Sequence, residues 1–138
     1  MSKEELTAIF RKPFWLARQE IPYLARCPAS ARRTIVEIGC AYGGSTVELL
    51  LNKKPTACVY SIDPFLRDTL GGFCTNEREC RQAVREALEL RKPTDLLEDW
   101  TLIDGYSHEV VEQWDGETDL LFVDGSHLHE DVKRDFEQ

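Results

Sequence analysis

Val36-Glu37-Ile38-Gly39-Cys40-Ala41-Tyr42-Gly43-Gly44-Ser45-Thr46 is the stretch on which the reading of this chain turns. It closes a short β-branched run, Thr34–Ile38, of the kind that forms a buried parallel strand. It then opens an apolar helical stretch through Val47, Leu49, Leu50 and Leu51. Between the two lies a glycine turn. Gly39 lets the backbone leave the strand sharply, and Gly43 and Gly44 let a ligand and the helix come close. Ala41 stands where the dinucleotide fingerprint G-x-G-x-x-G has its middle glycine, which argues against a pyrophosphate ligand. Ser45 falls in the first helical turn, where hydroxyl and N–H groups can receive a carboxylate. The same residues would also serve a connection that binds nothing.

The pattern repeats outward from this turn. A second strand is expected over Ala57–Ile62, closed by Asp63-Pro64, and a third over Trp100–Ile103, closed by Asp104-Gly105. A fourth covers Asp119–Val123 and ends on Asp124-Gly125. Helices fill the intervals. Asn76 with Glu79 forms a capping-box pattern for a helix that runs to about Leu90, and Ser107 can cap one over residues 108–114. Another helix starts near Leu128. Residues 3–26 read as helical, with an interruption at Pro13 and a break at Pro28-Ala29-Ser30. Strands alternating with helices imply parallel pairing. The expected fold is therefore α/β, a Rossmann-like three-layer sandwich with a mainly parallel sheet and N-terminal helices. Residues 1–30 are expected to form a helical segment and residues 31–138 a partial Rossmann-like domain, truncated after the fourth strand and its helix.

In such sheets ligands bind outside the carboxyl ends of the strands. Here those ends carry Glu37 to Ser45, Asp63, Asp104 to Ser107 and Asp124 to His127. Asp63 follows the glycine turn by about 20 residues, the spacing at which a carboxylate can accept both hydroxyls of a ribose; it could equally cap a turn before Pro64. Asp124 emerges beside Gly39 and can favour a cationic amino group or a hard metal, or simply cap a helix.

The bulk properties fit one domain of 138 residues with a net charge of −8. That charge disfavours nucleic acid and anionic membranes, so a small-molecule partner is expected. Five cysteines, an odd number with no C-x-x-C pair, argue against a disulfide framework or zinc knuckle and suit a reducing, cytoplasmic setting. Cys40 and Cys58 are expected in strand-like contexts as buried thiols. No secretory signal or membrane span is visible in the sequence.

Val36 to Thr46, then Ser61-Ile62-Asp63, then Ile103 to Ser107, then Asp119 to His127 resemble class I S-adenosylmethionine-dependent methyltransferases. The similarity is strongest to the small-molecule O-methyltransferase branch, which includes catechol-type, macrolide and cephalosporin-hydroxylase-like members. It covers about residues 33–138. The resemblance implies a cofactor site made of Glu37, Gly39, Cys40, Ala41, Tyr42, Gly43, Ser45, Asp63, Gly105, Ser107 and Asp124. Glu37 and Gly39 would face the methionine amino group, Glu37 through water, and Ser45 would hold the carboxylate. Asp63 would bind the ribose, while Gly105 and Ser107 would line the adenine with His108 at its rim. Asp124 and His127 are the catalytic candidates, and Asp124 would be the magnesium ligand in a metal-dependent member, with an incomplete ligand set. His129 reads better as a surface residue. The family pattern often has an acid where this chain has Ser126. The acceptor would be a small hydroxylated molecule. A homo-oligomer is expected to cover the apolar edge Leu120-Leu121-Phe122-Val123. Two other readings stay open: a non-catalytic cofactor-binding or oligomerisation domain, and a nicotinamide-binding domain.

Overall fold

The computed structural model describes residues 19, 21–65, 76–91 and 94–124. Helix α1, Ile21–Arg26, runs into a 3-10 turn at Cys27–Ser30, so the expected break at Pro28 is a tightened helical turn with Pro28 buried in it. Strand β1, Thr34–Ile38, is followed by α2, Gly44–Asn52. Strand β2, Cys58–Asp63, precedes α3, Glu77–Arg91, and a 3-10 turn at Thr94–Asp99 leads to β3, Trp100–Asp104. A single turn, α4, Ser107–Val110, continues as a 3-10 turn over Val111–Gln113 before β4, Leu120–Val123.

The sheet has four strands in the order β3-β2-β1-β4, and every pair is parallel. The register sets Glu37 beside Ser61 and Phe122, and Ile38 beside Ile62 and Val123. Because side chains alternate across a strand, each strand sends one set to each face. Ile35, Val59, Trp100 and Leu102 pack against Leu24, Val47, Leu49, Leu50, Val84 and Leu88 of the helices, with Leu120 and Phe122 at the margin. Val36, Ile38 and Ile62 face the other way, with Tyr60, Ile103, Val110, Trp114 and Val123 around them. There Tyr60 and Trp114 meet edge to face at 5.1 Å. Glu37 and Ser61 follow the parity of Ile35 and Val59. They are therefore polar residues on the helix-covered face.

Three local expectations need correction. Ser107 does not cap its helix: Tyr106 is the extended residue at the cap position, which puts Ser107 inside the first turn. The helix expected over 108–114 is α-helical only to Val110. Cys40 lies past the end of β1, in the turn rather than in a strand, although it is buried as expected. The expected Asn76 cap is present, its Oδ1 accepting the Glu79 N–H at 2.8 Å. The segment 3–18, Gly71-Gly72, Cys74 and everything from Gly125 on, His127 and His129 included, lie outside the described residues.

Candidate functional site

The carboxyl ends of the four strands are joined by main-chain hydrogen bonds into one rim. Gly105 N donates to Asp63 O at 3.1 Å, Gly39 N to Ile62 O at 2.8 Å, and Asp124 N to Ile38 O at 2.8 Å. The glycine turn, Asp63, Gly105 and Asp124 thus stand side by side in the order of the strands.

Within the rim, Asp63 organises the turn. Its Oδ2 accepts the N–H groups of Cys40 and Ala41, both at 2.9 Å, and its Oδ1 accepts that of Phe65 at 2.8 Å. Ala41 and Phe65 are the non-glycine residues with positive φ among those described, at 46° and 48°. A left-handed L-residue costs about 1–2 kcal/mol, and hydrogen bonds to a charged acceptor offset a strain of that size. So Ala41, the residue that departs from the glycine fingerprint, still takes the left-handed shape a glycine would take, held there by a carboxylate 22 residues away.

Gly39 and Gly43 have φ of 85° and 82°. Gly43 also has no room for a side chain, because a Cβ there would collide with Val84 Cγ2 of α3. Gly43 is the cap of α2 and offers no side-chain hydrogen bond to it. The first-turn N–H groups of α2 therefore have no capping side chain from Gly43. A helix end of this kind attracts anions.

Glu37 and Ser45 lie behind the turn. Glu37 is fully buried and accepts Thr46 Oγ1 and Ser61 Oγ, each at 2.6 Å, and Ser45 Oγ. The Ser45 hydroxyl is thus directed at Glu37, and Ser45 is 6% exposed. Burial pushes the Glu37 carboxyl up to about 7; the three hydroxyls pull it back and the nearby charge of Asp63 adds to the rise. Cys40 Sγ lies 3.8 Å from Cys80 Sγ of α3, and that neighbour together with burial pushes the Cys40 thiol up. At the third strand end Ser107 is buried, and the Tyr106 and His108 rings lie 5.3 Å apart, tilted by 38°. Asp124 closes the rim at β4. Among the described residues no group of three or more His, Cys, Asp or Glu side chains could hold a metal ion. Nor is any helix among them long and apolar enough to cross a membrane.

Sequence reasoning missed three residues that build this region. Ser61, Thr46 and Trp100 become polar partners only through register and packing; the available signal was a lone serine inside an otherwise apolar strand. Asp119 was also missed. Its Oδ2 accepts the N–H groups of Arg32, Arg33 and Thr34 at 3.1, 2.6 and 3.1 Å, which ties β4 to the start of β1.

A parallel sheet with a glycine turn at its centre and acids at its strand ends defines a Rossmann-like class of α/β domain. The particular family follows from the sequence: residues 36–138 match the family model described as "Methyltransferase domain", and the chain belongs to that family. No curated protein matches the sequence. Among solved structures, the fold is similar to an O-methyltransferase from Bacillus cereus in complex with SAH, at TM-score 0.65 and 16% identity over 98% of this chain and 60% of that one. It is similar to the O-methyltransferase TomG from Streptomyces achromogenes, involved in tomaymycin synthesis and solved with SAM, at TM-score 0.62 and 17% identity over 98% and 57%. A methyltransferase from Geobacter sulfurreducens matches at TM-score 0.61 and 18% identity over 96% and 60%. The chain thus spans 57% to 60% of the length of these structures.

Proposed function

We propose that this chain carries the S-adenosylmethionine site of a methyltransferase that methylates an oxygen of a small hydroxylated acceptor. One observation carries the reading: the uncapped start of α2, the Asp63 carboxylate and the Gly105 turn share one rim at the carboxyl ends of parallel strands. The uncapped N–H groups suit the carboxylate end of the cofactor. Asp63 suits the ribose; among the described residues its Oδ1 accepts one main-chain bond, which leaves acceptor capacity for a hydroxyl. Gly105 and Ser107 suit the adenine edge, with the Tyr106–His108 pair beside them.

When bound, the cofactor would supply a methyl group on a sulfonium. The part of this chain is to hold it in line with an acceptor oxygen and to exclude water, the means by which alignment lowers a transfer barrier. Asp124 is proposed at the cationic amino end, and His127 as the base for the acceptor hydroxyl. A magnesium role for Asp124 would need ligands beyond the described residues; loss of turnover on chelation, restored by magnesium, would support it.

Calorimetric titration with S-adenosylmethionine and S-adenosylhomocysteine tests the reading. The wild type is expected to bind both, and Asp63→Ala to weaken binding about 10- to 100-fold, the value of a hydrogen bond to a charged group. A wild type that binds neither would sink it, and NADH binding instead would favour the nicotinamide reading. We also propose that a second copy covers β4, since Leu121 on its open face is 48% exposed. A monodisperse monomer by light scattering would exclude this.

A further inference from the structure

Behind the glycine turn runs a line of polar groups that none of the proposed ligand contacts uses. Trp100 Nε1, at the start of β3, donates to Ser61 Oγ at 3.0 Å. Ser61 Oγ donates to Glu37 Oε2 at 2.6 Å, and the same oxygen accepts Thr46 Oγ1 at 2.6 Å. Glu37 Oε1 accepts Ser45 Oγ. Glu37, Thr46 and Ser61 are wholly buried, and Trp100 nearly so. The line crosses β3, β2 and β1 and ends on the first turn of α2, where the proposed function seats the carboxylate of its cofactor.

The donors are matched to one protonation state. An ionised carboxylate is acceptor-only, with about four lone-pair sites, and can take all three hydroxyls. A protonated carboxyl brings a donor of its own, and one hydroxyl must then turn away. The hydroxyl with most freedom to do so lies on α2, since Ser61 is pinned from behind by the indole N–H.

We propose that Ser61 and Trp100 are positioning residues for the cofactor site: acting through Glu37 they fix the first turn of α2, and binding at that turn requires the ionised Glu37. This rests on the reading that the turn binds S-adenosylmethionine. The groups facing Glu37 are Ser45 and Thr46 from α2, Ser61 and Asp63 from β2, and Cys40 from the turn, with Phe122 as its neighbour on β4. Of these only Asp63 and Cys40 carry ionisable side chains, and the charge on Asp63 opposes ionisation of Glu37. The buried carboxyl titrates near neutrality, at about 7. The cofactor carboxylate seated on that turn opposes ionisation of Glu37, so the requirement for the ionised form rests on the geometry of the three hydroxyls, which only an acceptor-only carboxylate satisfies together. Affinity is therefore full above the Glu37 midpoint and lost as pH falls through it. Removing a hydroxyl that stabilises the ionised form moves that midpoint up.

Calorimetry of the intact protein with S-adenosylmethionine and S-adenosylhomocysteine, between about pH 5.5 and 9, tests the proposal. Wild-type Kd is expected to rise about tenfold per pH unit below the midpoint, as for one linked proton. Ser61→Ala and Trp100→Phe are expected to move the midpoint up by about half to one unit, the scale of a lost hydrogen bond to a carboxylate. Glu37→Gln is expected to bind weakly with a flat profile. Amide exchange of Val47 and Glu48 without ligand gives a second readout, and both variants are expected to speed it. Trp100→Phe keeps a ring in the core and decides the matter if Ser61→Ala does not fold. Unmoved midpoints with unchanged exchange overturn the proposal. Absence of wild-type binding at every pH overturns the cofactor reading instead, and the exchange result still decides whether Ser61 and Trp100 position the turn.

Discussion

Glu37 and Asp119 sit near opposite ends of the sheet, and each accepts three hydrogen bonds. Glu37 takes three hydroxyls in the buried space under α2, whereas Asp119 takes three main-chain amides at an exposed corner before β4. Their carboxyls nevertheless move in opposite directions. Glu37 is pushed up to about 7 because burial outweighs its partners. Asp119 is held below the ordinary 3.8, chiefly by the amides of Arg33 and Thr34. The number of hydrogen bonds does not decide the direction; access to water does. The end of the sheet that holds the candidate site retains a costly charge, and the opposite end uses the same kind of group as a tether.

The largest expected effect is at the candidate site. Gly43→Ala combines a left-handed backbone with a collision against Val84, and costs of about 1–2 and 1–3 kcal/mol add there. Denaturant unfolding is expected to show a loss of about 3 kcal/mol; a loss below about 1 kcal/mol would mean that the turn and α3 yield easily.

The next largest is a gain. Glu37 is raised from 4.5 to about 7, so the folded chain binds more protons than the unfolded chain between those values. Stability therefore falls as pH climbs through that window. Glu37→Gln has no such loss and is expected to be more stable than wild type at about pH 8 by up to about 3 kcal/mol, at 1.36 kcal/mol per unit. The difference should shrink toward about pH 5. Thermal unfolding across that range checks it, and a gain independent of pH would remove the contrast with Asp119.

The smallest effect belongs to Asp119→Asn, and its sign is reversed. A lowered carboxyl contributes stability above its unfolded value and loses it as pH falls through the folded one. The variant is expected to be slightly less stable than wild type near neutrality and equal to it well below 3.8. The same thermal scans read this, and equal stability at every pH would show that the amides at this exposed corner contribute nothing.

The strands were legible because a buried parallel strand writes itself as an apolar, β-branched run with a glycine or acid at its end. Thr34–Ile38 has the bounds expected of it, β3 and β4 differ by one residue at one end, and β2 lies one residue later at both ends. The Asn76 cap was legible for a similar reason, since donor and acceptor are three residues apart. What escaped was every contact whose partner is chosen by register. Ser61 meets Glu37 across 24 residues, Asp119 meets Arg33 across 86, and Cys40 meets Cys80 across 40. Ser107 misled because a serine one place before a helical pattern looks the same whether it caps or begins the helix. The strand-end acids were visible as candidates, but nothing local tells that Asp63 holds its own turn in shape.

Val84 occupies the space that a side chain at position 43 would need. The two positions are 41 apart in sequence, yet the side chain at one limits what the other can carry. A relative that replaces Val84 with something smaller opens a hole beside the turn, and one that replaces it with something bulkier has no side chain at 43 left to shed. The size of the side chain at 84 is thereby matched to a residue that has none.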